Sequence, residues 1–187
     1  MTIFYLLCRG RGAEQQLALM SQIHVCYDGP EYLSGDIVMD ALFSKQSVPL
    51  YLDTWERTKK GETLSGDAGM ISEAMRAHPE FDIWWPRGEA AFHPQEIDGY
   101  IVNPLVHIGL HVAIEKQIEA ENPEEVIQAL RTLREGGLSA HEAVHRLAGL
   151  WGDLYFRSVR RGGPLEEEVY LEELRAIATT TPGTATA

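Results

Sequence analysis

Proline, glycine and capping residues cut the stretch from Asn103 to Ile177 into lengths that read as helices. Asn103-Pro104 sets a side-chain acceptor ahead of a proline, whose fixed φ suits the first helical position and whose missing N–H would have no partner there. A helix to about Glu121 follows. Asn122-Pro123 repeats the signal, and the next helix runs from Pro123 to about Glu135, where Gly136-Gly137 supplies residues that tolerate the left-handed turn ending a helix. Ser139 caps a longer helix to about Arg161, Gly162-Gly163-Pro164 stops it, and Leu165 to Ile177 forms the last one.

Upstream, Leu50-Tyr51 and Trp55 share one face of a helix from Ser47 to near Gly61, and a second helix spans about Ser65 to Ala77. His78-Pro79-Glu80 ends it, because the residue before proline is pushed out of the helical region. Phe81 to Asn103 carries Trp84-Trp85-Pro86, Arg87-Gly88, His93-Pro94 and Asp98-Gly99, which is turn chemistry interrupted by large aromatics. It reads as an irregular loop pinned by Trp84 or Trp85, and as a lid if the chain holds an active site. Residues 1–38 show neither a helical stripe nor strand alternation, and the small polar tail 179–187 has nothing to bury. The expectation is an all-α fold, a compact bundle of about five helices over residues 45–178, with a poorly defined N-terminal extension 1–44 and a disordered tail.

The 187 residues, 44% of them apolar, suffice for one domain with a real core. Lys and Arg total 16 against 28 Asp and Glu, a net charge of −12, so the summed field repels phosphate backbones and anionic headgroups. Nucleic acid and membrane are excluded as expected partners. A homo-oligomer and a small-molecule substrate stay open. Cys8 and Cys26 form neither a disulfide framework nor a metal knuckle and read as reduced. The apolar opening Ile3 to Cys8 is too short to span a bilayer, has no basic residues before it and lacks a following cleavage site, so a cytoplasmic location is expected.

Chemistry concentrates in two His-x-x-x-His pairs, His107/His111 and His141/His145, each near the start of its helix. Positions four apart lie about 40° apart around a helix, and Leu110, Ile114 and Ile118 share the first stripe, while Val144, Ala148, Gly152, Tyr155 and Val159 share the second. Both pairs should therefore face inward. With one helix between them and short connections, an up-down-up path makes the two His-bearing helices parallel and sets the pairs level. Imidazoles so placed suit zinc, iron, copper or nickel, with zinc and iron the first candidates. The expected ligands are His107, His111, His141 and His145. The competing reading is a non-catalytic helical interaction module whose histidines form a buried polar layer, satisfied by carbonyls or by carboxylates such as Glu115.

His141-Glu142-Ala143-Val144-His145 also spells His-Glu-x-x-His, in which two histidines hold zinc and the glutamate is general base of a hydrolase. A third ligand would have to come from Glu166, Glu167 or Glu168, beyond a Gly-Gly-Pro stop, and no edge strand for a peptide is evident. This is the weakest of the three readings, and whether the chain is an enzyme is left undecided. His78 and His93 precede prolines and His24 lies in the unclear N-terminal segment. Of these His78 is the first candidate for an extra ligand, although a cation at a helix C-terminus is the favoured role for it. Trp55, Trp151 and Tyr155 are expected to fill the core.

Asn103-Pro104-Leu-Val-His107-Ile-Gly-Leu-His111, then His141-x-x-x-His145 and Gly152-Asp153, resembles the bacterial family called domain of unknown function 1841. The likeness reaches back through Trp55, Gly61, Leu64 and His78-Pro79-Glu80 and forward to Gly162-x-Pro164 and Tyr170-Leu171, covering roughly residues 45–177. It implies a compact helical fold and lends no activity. It also implies that Glu142 is local to this chain, which weakens the hydrolase reading. Asp153 where relatives have glutamate, and Lys116 beside Glu115, weaken a carboxylate ligand in the same way. Relatives begin just before the Trp55 helix, which implies a start near Met39 and makes residues 1–38 an upstream extension.

Overall fold

The computed structural model describes residues 42–179. The expectations for residues 1–38, for Cys8, Cys26 and His24, and for the tail past Thr179 lie outside the described residues. The chain parts into two compact units, with the boundary at Val112/Ala113.

In the first unit, a 3-10 turn, Lys45–Ser47, leads into α1, Val48–Lys59, and α2 follows over Gly66–Ala77. α1 lies against α2, where the Thr58 hydroxyl donates to Thr54 O and meets Ser72 Oγ, both at 2.7 Å. Tyr51, Ile71, Met75, Phe81 and Trp85 are all at most 2% exposed and form the core. Burial, with Asp67 adding to it, pushes the Tyr51 phenol well above its ordinary pKa.

The segment expected to be irregular has more order than its turn chemistry suggested. A 3-10 turn, Pro79–Phe81, is followed by a second 3-10 stretch, Trp85–Phe92, broken at Gly88 (φ 61°). Then β1, Gln95–Ile97, pairs antiparallel with β2, Tyr100–Val102, in the register Gln95↔Val102. Asp98 and Gly99, with φ of 52° and 81°, make the turn between them. Two residues at positive φ match the twist that a two-residue hairpin needs. Trp85 is the pin, 1% exposed and stacked on Tyr51 at 6.4 Å, whereas Trp84 lies under the Arg87 guanidinium at 4.4 Å. With Trp85, Ala91 and Phe92 buried, this stretch is part of the core.

Asn103 caps α3, Pro104–Glu119, as expected: its Oδ1 accepts from Val106 N at 3.2 Å. Its Nδ2 also donates to Phe92 O at 2.6 Å, tying the helix start to the preceding segment. Leu105 to Ile114 are buried without a break. That is the pattern of a helix apolar on every side, not of the single stripe read from the sequence.

The second unit holds α4, Glu124–Glu135, α5, Ala140–Arg161, and α6, Glu167–Thr179. α4 begins one residue later than expected, with Pro123 at the N-cap rather than in the first turn. α4 and α6 pack along each other, and α5 contacts both. Val126, Ala129, Leu147 and Leu174 are fully buried between them. Arg175 reaches Glu125 at 2.6 Å, Thr132 donates to Ala178 O at 3.1 Å and Tyr170 to Gln117 Oε1 at 2.7 Å. Trp151 is core, stacked on Tyr155 at 4.8 Å, but Val159 is 38% exposed, so the inward stripe of α5 ends before it. Gly162, at φ 66°, takes the left-handed position that closes α5. Among the described residues no helix is long and apolar enough to cross a membrane.

Candidate metal centre

His78 leaves α2 because Pro79 follows it: its backbone stands at φ −125° and ψ 62°, outside the helical region. The backbone is tied on both sides, His78 N to Met75 O and Phe81 N to His78 O, each at 3.1 Å. Instead of standing as an exposed cation at the end of α2, the side chain is turned into the protein and the residue is 2% exposed. Phe81 stacks on its ring at 5.2 Å and 13°, and Glu80 Oε1 lies 2.8 Å from its Nδ1.

His107 and His111, one turn apart on α3, are 8% and 3% exposed, as the inward-facing reading expected. Both reach His78. Its Nε2 is 3.0 Å from His111 Nε2 and 3.1 Å from His107 Nε2. Phe81 closes the side of this trio, meeting His107 edge-on at 5.1 Å.

His78 is the hub of this trio, with Glu80 at its Nδ1 and both other imidazoles at its Nε2. Three imidazole nitrogens so gathered suit a single cation. Donors about 2.0–2.1 Å from a tetrahedral ion stand roughly 3.3 Å apart, close to these separations.

In the second unit, His141 and His145 sit in the opening turns of α5, half-buried, with ring centroids 4.2 Å apart. Ser139 sets that start through a complete capping box: its hydroxyl accepts from Glu142 N at 3.2 Å, and Glu142 Oε2 accepts from Ser139 N at 2.8 Å. Hydrogen bonding to Ser139, through the side chain first and the backbone second, holds the Glu142 carboxyl below its ordinary range. The glutamate of His-Glu-x-x-His is thus committed to the helix cap. Glu166, one of the third ligands a hydrolase would need, pairs with Arg161 at 2.9 Å and Arg157 at 3.8 Å.

Each pair singled out from the sequence is close-set within its own unit, and His93 is exposed and stands apart from them. His78, placed behind the two pairs as a candidate from the sequence, stands beside His107 and His111. The signal for it was present in His78-Pro79-Glu80, where proline forces the ring off the helix and brings a carboxylate within reach.

No curated protein and no solved structure is similar to this chain. A family model, Domain of unknown function (DUF1841), matches residues 44–176, from just before α1 nearly to the end of α6. The match takes in His78, His107, His111, His141 and His145, and the chain belongs to that family.

Proposed function

We propose that the protein binds one transition-metal ion through imidazole nitrogens, with zinc and iron the first candidates. The observation that carries this reading is the trio of buried histidines in the first unit: the Nε2 of His78 lies 3.0 Å from that of His111 and 3.1 Å from that of His107. An all-imidazole set suits zinc, iron, copper and nickel better than calcium or magnesium, which take oxygen ligands. His107 and His111 belong to the set expected from sequence, and His78 joins them.

A buried polar layer without metal is the competing reading, and the Glu80 contact to His78 favours it as far as one ring goes. The gathering of three ring nitrogens about His78 Nε2 counts against it, because their 3.0 and 3.1 Å separations are close to those of donors on one ion.

Elemental analysis of untagged protein, with the double replacement His107→Ala and His111→Ala in parallel, tests the proposal. The native chain is expected to carry close to one equivalent and the variant almost none. Less than about a tenth of an equivalent in the native chain after reconstitution defeats it, since a ligand set of this kind retains metal when folded.

A further inference from the structure

We infer that Glu80 is a positioning residue for the metal centre: its carboxylate fixes His78 in the tautomer and orientation that present Nε2 to the ion. The inference rests on the metal-binding reading of the preceding subsection and assigns a role to a residue outside the ligand set.

Four observations carry it. His78 is 2% exposed, so its Nδ1 needs a protein partner, and Glu80 Oε1 lies 2.8 Å from it. Glu80 is only two residues away, across a proline whose fixed φ starts the 3-10 turn Pro79–Phe81, so the contact is built into a rigid stretch of backbone. Phe81, the next residue, stacks on the same ring and stops it from flipping. The nitrogen opposite the carboxylate is the one that meets His107 and His111. Carboxylate, histidine and ion in line is the arrangement by which metalloproteins raise the basicity of a ligand and lock its tautomer. Glu80 keeps 38% of its side chain exposed, so one carboxylate edge stays solvated while the other holds the ring.

Cobalt(II) is the probe, with affinity measured by competition against a chromophoric chelator and coordination read from its visible d–d bands. Glu80→Gln is expected to weaken cobalt about 10–100-fold, the usual cost of losing such a partner, and to change the band pattern. Glu73→Gln, which removes one charge from the exposed face of α2, should do neither. A purely structural role for Glu80 would lower the melting temperature of the metal-free variant and leave the cobalt affinity of its folded fraction and its spectrum unchanged. That result refutes the inference. If the native chain takes up no cobalt and no zinc, the metal reading itself falls and this inference with it. If the native chain loads and Glu80→Gln loads equally well, the metal reading stands and only the role of Glu80 is lost. Long-range proton–nitrogen NMR of the zinc-loaded native chain needs no variant: zinc on Nε2 with a proton on Nδ1 of His78 is expected, and the reverse assignment overturns the proposal.

Discussion

Two glutamates beside histidines show how little sequence adjacency says about chemical role. Glu142 directly follows His141 and completes a hydrolase motif, yet its carboxylate accepts from Ser139 N; Glu80 belongs to no motif and holds a buried ring. Replacing Glu142 by Gln is therefore expected to leave metal content unchanged. Its effect should be on stability, with a definite sign against pH. The folded carboxyl is held below its ordinary value, so its contribution is present above the unfolded pKa of about 4.3 and is lost as pH falls through the lower folded value. Denaturation midpoints of native chain and Glu142→Gln should differ at neutral pH and converge in acid. A gap that persists unchanged into acid would show that the cap does not depend on the carboxylate. His78→Ala is the opposite case, expected to cost metal affinity first, by at least the 10–100-fold set for an outer partner, as titration with zinc would show.

At the scale of elements, α3 is the most constrained helix because no side of it is free for solvent until past Ile114. Gly109 marks its closest approach: a Cβ there would stand 2.6 Å from Phe43 Cε1 and 3.1 Å from the Tyr51 hydroxyl. Both rings are buried, so neither can swing away without repacking. Gly109→Ala is expected to destabilise the fold by about 1–3 kcal/mol, the range for overpacking a core, despite the better helix propensity of alanine. Chemical denaturation decides it, and a neutral or stabilising result would mean Phe43 is not wedged. Helix ends were legible where the signal is local: Asn103, Ser139 and Gly162 each act within one turn, and each does in the structure what its side chain or missing side chain dictates. The hairpin β1–β2 was not, because three-residue strands carry no readable alternation and only Asp98-Gly99 hinted at it. The all-round burial of α3 was hidden for a related reason. His107 and His111 read as polar breaks in an apolar surface, whereas they are buried along with it.

For the whole chain, the histidines matter because a ligand that binds only the folded state stabilises it by mass action. The sequence offered the two His-x-x-x-His pairs first and His78 only as an extra candidate, because its distance from them along the chain says nothing of the proline turn that brings its ring back to α3. If that ring holds an ion as proposed, metal and fold are interdependent. Free zinc at about 1,000 times its dissociation constant should add roughly 4 kcal/mol, which for a chain of this size raises the melting temperature by about 8–16 °C. A chelator should reverse the shift, and a second addition of zinc should restore it. Calcium should give no comparable shift, since imidazole nitrogens do not replace its oxygen ligands. In His107→Ala with His111→Ala the zinc-dependent shift should vanish even if the metal-free melting temperature stays near that of the native chain. A zinc shift that survives in this variant would place the ion elsewhere, because unspecific binding to the many exposed carboxylates is indifferent to two buried imidazoles.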